Sequence, residues 1–108
     1  MSLDEIQKDV DAWTGQFTPQ YWPALEMLAC LTEENGEVAR ELNHLYGTKK
    51  KKSDENTKSL GQELSDVLFT LCCIANSHTI SLQDEWNRMM HNKQYGRDKE
   101  RFERKEKL

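Results

Sequence analysis

Two short stretches carry the residues that could do chemistry. "LTEENGEVARELN", from Leu31 to Asn43, sets Glu33, Glu34, Glu37 and Glu41 among apolar residues at helical spacing. "LGQELSDVLFTLCCIA", from Leu60 to Ala75, begins with Glu63 and Asp66 and then turns almost wholly apolar. On a helix at ~100° per residue, Glu34, Glu37 and Glu41 fall within roughly 60° of arc, and Glu33 lies about 40° beyond Glu37. The stripe of Leu31, Val38, Leu42 and Leu45 flanks Glu34 and Glu41, so the acids begin at the edge of the expected buried face. Glu63 and Asp66 share a direction with Val67, Thr70 and Ile74, which points them inward if their helix is central.

Carboxylates gathered where solvation is poor repel one another. They must protonate, pair with a cationic side chain, or bind a metal ion. Arg40 is the one lysine or arginine on the Glu34 helix and points away from Glu34, and no basic residue lies on the later helix after Lys58. A hard divalent cation with oxygen ligands is then the fitting counter-charge. Mg²⁺ suits a site that also receives phosphate, with Mn²⁺ as the second choice. The competing arrangements are pairing with arginines from elsewhere, such as Arg88 or Arg97, and a plain solvated acidic face.

The elements that must position these acids are all helical. Ser2 with Glu5 forms a capping box, and Leu3, Ile6, Val10 and Trp13 repeat at helical spacing, so a first helix runs to about Thr14. A connector, Thr14 to Pro23, leads to a second helix that Pro23 opens and Gly47 ends. Residues 47–59, "GTKKKKSDENTKS", have no apolar residue and read as a mobile loop. Its Lys49 to Lys52 run either steers a phosphate ligand or is simply solvated. A third helix starts near Leu60; from Val67 to Ala75 it is apolar on every side except Thr70, which marks it as buried all round. Ser81 and Asp84 cap a fourth helix through Trp86, Met89 and Met90, whose apolar side chains read as core or subunit contacts. Residues 97–108 form a charged, frayed tail. The fold class is therefore all-α, a four-helix-bundle-type core, in a single domain over 1–108.

Composition narrows the partners. A chain of 108 residues builds a modest core and is small for a deep pocket, a limit that assembly of several copies relieves. A net charge of −4 disfavours nucleic-acid polymers and anionic membranes. No apolar run reaches the ~20 residues of a membrane span, and the acidic start "MSLDEIQKDV" lacks the basic character of a targeting peptide, so a cytoplasmic location is expected. Cys30, Cys72 and Cys73 read as reduced core residues, a zinc site being the minor reading.

"EENGE" followed by "ELSD" resembles the ExxE…ExxD signature of the MazG-type nucleotide pyrophosphohydrolases, the all-α NTP pyrophosphatases. The halves here are Glu34-x-x-Glu37 and Glu63-x-x-Asp66, separated by 25 residues. The likeness extends through "YWPALEMLACLTEE", "LNHLYG", "ELSDVLFTLCCIANS" and "YGRDKERF", most of the chain from Tyr21 to Phe102. The resemblance implies a Mg²⁺-dependent enzyme cutting (d)NTPs between the α and β phosphates to a monophosphate and pyrophosphate, in housecleaning of nucleotide pools. It implies Glu34, Glu37, Glu63 and Asp66 as metal ligands, and Glu33 as the residue that orients the attacking water or holds a second ion. Asn92, Lys93 and Arg97 stand where the family carries its late basic and amide residues and would grip the triphosphate. A homodimer or homotetramer is implied as well. Asn35 departs from the pattern, standing on the leucine stripe where an apolar residue is usual.

Tyr21 and Trp22 could stack on a base, or could act as a packing staple before the second helix. Two other functions compete. A di-iron carboxylate bundle needs two Glu-x-x-His motifs, and only Glu41 to His44 supplies one; His44 otherwise reads as a helix-end residue favourable to the dipole. The other is a non-catalytic helical interaction or regulatory protein.

Overall fold

The computed structural model describes residues 1–51 and 60–105. Four α-helices follow in order: α1 (Leu3–Thr14), α2 (Ala24–Tyr46), α3 (Leu60–Ser77) and α4 (Leu82–Met89). A π-helix, Met90–Arg97, continues directly from α4. Among the described residues there is no strand. The helix boundaries arise from local chemistry. Ser2 Oγ accepts from the Glu5 N–H at 3.2 Å while Glu5 Oε1 accepts from the Ser2 N–H at 3.2 Å, satisfying two donors that α1 would leave open. The Pro23 carbonyl accepts the Glu26 and Met27 amides as α2 begins, and Gly47 ends α2 with its N–H on the Asn43 carbonyl. Ser81 caps α4 through the Asp84 N–H.

Residues 47–51 and 98–105 carry no regular helix; the rest of the expected 47–59 loop and the last three residues of the tail lie outside the described residues. Lys51 is not simply solvated, because its Nζ lies 2.7 Å from Oε1 of the buried Glu41.

α3 is the hub, packing on α2 and on α1, while α4 packs on α1 and carries the π-helix. The buried apolar set is small: Val10, Met27, Cys72 and Ala75. Two expectations are corrected here. The Val67 to Ala75 segment of α3 is not buried all round, since Phe69 is 37% and Leu71 40% exposed. Nor does the whole stripe of α2 face the chain's own core: Leu31 and Val38 are half-buried, but Leu42 and Leu45 are not. Met27, Glu41 and His44 are buried on α2, whereas Leu28, Leu42 and Leu45 are exposed. α2 therefore turns Met27, Glu34 and Glu41 toward α3, keeps Leu31 and Val38 half-buried at the edge of that face, and leaves Leu28, Asn35, Leu42 and Leu45 toward the outside. One layer of helices has too few faces to cover both sides of an all-apolar segment. The radius of gyration is 17.8 Å, against about 13 Å for a compact chain of this length. The accessible surface is 8838 Å², against about 6,200 Å² for a compact monomer of this mass.

Polar side chains replace part of the missing apolar core. Buried Gln7 donates to Asn76 Oδ1 and to the Ile80 carbonyl, both at 2.8 Å, and its Oε1 accepts the Leu82 N–H at 2.8 Å. Asn76 Nδ2 donates to the Gln7 carbonyl and to the Tyr21 hydroxyl, which in turn donates to Asp11 Oδ1 at 2.6 Å. This network joins α1, the connector, α3 and the α3–α4 turn.

Candidate metal centre and adjoining cavity

The contact between α2 and α3 gathers acids from both helices. One carboxylate oxygen each from Glu34, Glu63 and Asp66 lies within 4.8 Å of the others. Glu63 is 1% exposed, so the inward direction expected from its register holds, while Glu34 and Asp66 are half-buried. Opposite ligands of a Mg²⁺ octahedron at 2.0–2.1 Å stand about 4.2 Å apart. Adjacent ligands stand about 3 Å apart, so the three oxygens would draw together on such an ion, and an all-oxygen donor set is the kind that Mg²⁺ or Mn²⁺ takes. The carboxylates therefore fit a hard divalent cation.

Glu37, one turn further along α2, is exposed and is not among the three that meet; Glu33 is exposed beside Glu34. Asn92, Lys93 and Arg97 are exposed on the π-helix, whose main packing among the described residues is on α4. Hydrogen bonding to Asp98 raises the Arg97 guanidinium further, and the same contact holds the Asp98 carboxyl below its usual range. The arginines that competed as counter-charges are engaged elsewhere, Arg88 with Glu85 and Arg97 with Asp98. No histidine belongs to the acid group, so the di-iron motif of Glu41 and His44 does not form it. Glu41 and His44 are buried toward the far end of α2.

A cavity of about 450 Å³ lies beside the acids, between α1, the connector, α2 and α3. Met27 and Cys30 of α2 face Phe69, Thr70 and Cys73 of α3 across it. Moving back from Glu34 on α2 thus corresponds to moving forward from Asp66 on α3, and the two helices run antiparallel. Cys30 is one turn from Glu34, and Thr70, whose hydroxyl donates to the Asp66 carbonyl, is one turn from Asp66. The cavity therefore begins about 6 Å from the acids along the helix axes. Trp13 packs against Phe17 at 4.9 Å and edge-on to Phe69 at 5.7 Å. Trp22 is 55% exposed and lines the cavity mouth, so it is not buried as a staple. Tyr21 is fixed through its hydroxyl by Asp11 and Asn76. All three cysteines are free thiols, and burial pushes each of them up, Cys73 to about 11. Sequence reasoning missed this cavity. The available signal was the crowding of four of the nine aromatic residues into positions 13–22.

Two antiparallel helices bring acids to one point beside an aromatic cavity, an arrangement that could hold a divalent cation next to a ligand, and the family match supplies the class of enzyme. Residues 23–102 match the MazG nucleotide pyrophosphohydrolase domain, and the chain belongs to that family. It is a hydrolase, which sets aside the non-catalytic reading. Among its relatives is YpjD of Bacillus subtilis, itself of uncharacterised function, 51% identical over 105 residues that make up 97% of this chain and 94% of YpjD. The crystal structure of Bacillus subtilis YpjD, a provisionally assigned pyrophosphatase, superposes with a TM-score of 0.76 at 49% identity, covering 86% of this chain and 95% of that one. A Bacillus-conserved MazG protein, a nucleotide pyrophosphohydrolase, superposes with a TM-score of 0.73 at 43% identity, covering 85% of this chain and 88% of that one. No helix among the described residues is long and apolar enough to cross a membrane.

Proposed function

We propose that the protein is a Mg²⁺-dependent pyrophosphohydrolase that converts nucleoside or deoxynucleoside triphosphates to the monophosphate and pyrophosphate, as housecleaning of nucleotide pools. The observation that carries this reading is the convergence of Glu34, Glu63 and Asp66 within 4.8 Å. Glu34, Glu63 and Asp66 are the inner metal ligands, and Glu37 completes the set from the solvent side. Bound there, the ion supplies charge neutralisation for the phosphate oxygens. The residues of the chain do the rest by placement, since phosphoryl transfer asks mainly for alignment and charge compensation. The aromatic cavity holds the nucleoside, which sets the polyphosphate across the acids. Glu33 orients the attacking water and takes its proton as the phosphoanhydride bond breaks. Asn92, Lys93 and Arg97 grip the polyphosphate.

The protein works as a homodimer or homotetramer. The support is the exposed part of the α2 stripe together with Leu64 and Leu71. The surface in excess of a compact monomer is of the order that an obligate interface removes from each subunit. A second copy seated on that stripe would bring its own π-helix toward the acids, whereas the same chain's π-helix packs mainly on α4. The test is release of pyrophosphate from a panel of standard and modified NTPs and dNTPs by purified protein with Mg²⁺. Pyrophosphate from at least one member is expected, and none from any would refute the activity.

A further inference from the structure

We propose that Gln20 reads the base, accepting a hydrogen bond from an exocyclic amino group, so that cytosine and adenine nucleotides are preferred to their keto counterparts. The inference rests on the nucleotide reading above and adds the class of base. A glutamine can ordinarily read either an amino or a keto group, because its carboxamide turns over to offer N–H or C=O. Here it cannot. Gln20 lines the aromatic cavity, and its Nε2 donates to Asp11 Oδ1 at 3.0 Å, to the Asp11 carbonyl at 3.3 Å and to Thr14 Oγ1 at 3.4 Å. Two of these acceptors carry no proton to give. Turning the carboxamide would set its oxygen against a carboxylate and a carbonyl, so the assignment of nitrogen and oxygen is fixed by chemistry. The Thr14 proton is committed as well, to the Val10 carbonyl at 3.0 Å.

Asp11 is itself held. Tyr21 donates to the same Oδ1 at 2.6 Å, and Asn76 Nδ2 holds Tyr21 at 2.9 Å. The clamp therefore reaches from the cavity wall to α3. The oxygen of Gln20 remains to meet a ligand, and it offers acceptance only. An exocyclic 4-amino or 6-amino group satisfies it, whereas a 4-oxo or 6-oxo group in the same place sets oxygen against oxygen. Neighbouring wall groups do not blur the choice. The Thr70 hydroxyl donates to the Asp66 carbonyl, and the Cys30 and Cys73 thiols present weakly polar sulfur. Gln20 and Asp11 are both exposed, so neither is needed to fill the core.

The test is calorimetric binding, with Mg²⁺, of non-hydrolysable α,β-methylene triphosphates in matched pairs: cytidine against uridine and adenosine against inosine. In each pair that binds, the amino member is expected to bind about tenfold more tightly, the scale of one neutral hydrogen bond made or refused at an open site. Gln20→Leu should bring the two members within about threefold of each other. Asp11→Ala, which removes the carboxylate but keeps the Asp11 carbonyl that also holds Nε2, should narrow the preference in part while leaving Gln20 in place. Equal binding in the wild type, or a preference that survives Gln20→Leu, overturns the role of Gln20 and leaves the enzyme reading standing. Failure of all four analogues to bind overturns the nucleotide reading and this inference together.

Discussion

Replacing Glu63 by glutamine separates a metal centre from a structural acid cluster, because the two predict opposite changes in stability. The three carboxylate oxygens lie within 4.8 Å. Two unit charges at that distance repel by about 3.5 kcal/mol at an effective dielectric constant near 20. Glu63 belongs to two of the three pairs, so its neutralisation lifts up to about 7 kcal/mol of gross repulsion. Much of that is already offset, since each of the three acids takes part in a further interaction. A net gain of about 1–2 kcal/mol is expected for Glu63→Gln in EDTA, allowing for hydrogen bonds that the neutral amide weakens. With Mg²⁺ the order reverses. At about 10 to 100 times the dissociation constant, the wild type gains about 1.4–2.7 kcal/mol by linkage, which is about 5–11 °C in Tm for a chain of this size. Glu63→Gln should lose most of that gain, and Glu37→Gln, which alters the solvent side of the set, should keep about half of it. Differential scanning calorimetry of the three proteins, in EDTA and then in Mg²⁺, reads all of these values. A wild-type Tm that Mg²⁺ leaves unmoved would refute the reasoning. So would a Glu63→Gln protein less stable than wild type in EDTA, because the further interaction of Glu63 would then outweigh the repulsion that an ion is supposed to relieve.

Gln7→Leu removes three side-chain hydrogen bonds, those to Asn76 Oδ1, the Ile80 carbonyl and the Leu82 N–H; a loss of about 2–4 kcal/mol in urea unfolding is expected. Burial, followed by the neighbouring Cys72 and Cys30 thiols, raises the Cys73 thiol to about 11. Its alkylation rate should therefore keep climbing from pH 9 to pH 11, and Cys73→Ser should abolish that late rise. Because its folded pKa is raised, this thiol favours the folded state below the ordinary thiol pKa, and that preference fades between the ordinary value and about 11. Leu42→Glu, on the exposed stripe of α2, should shift sedimentation toward the monomer and make activity fall more steeply on dilution than in the wild type.

The helices were legible because each end is written in a few adjacent residues. Ser2 with Glu5, Pro23, Gly47, and Ser81 with Asp84 act within one turn and need no tertiary context. The meeting of Glu34 with Glu63 and Asp66 was legible for a related reason. Helical phase carries Glu63 to the packed side of α3, and the ExxE…ExxD likeness pairs that side with α2. Which side of α2 turns inward was not legible. Periodicity marks Leu31, Val38, Leu42 and Leu45 as one apolar stripe but does not say that the chain itself covers only its Leu31 and Val38 edge and leaves Leu42 and Leu45 open. Gln7 escaped notice because a polar residue on α1 gives no sign of being buried until its partners on α3 and at the start of α4 are known. Gln20 gains its meaning only from Asp11, nine positions away and across the turn that follows α1.

The π-winding of Met90–Arg97 changes how its side chains fan out. With about 4.4 residues per turn, Arg97 falls in angle between Asn92 and Lys93, and all three occupy a sector of about 80°. An ordinary α-helix would splay them over about 140°. The wider coil, closed by the Asp98 N–H on the Lys93 carbonyl at 2.7 Å, thus aims an amide, an ammonium and a guanidinium along one strip. Deleting one of residues 94–96 would restore common helical pitch and still hold the three within about 100° of arc, so it is the extra residue that the wider coil absorbs.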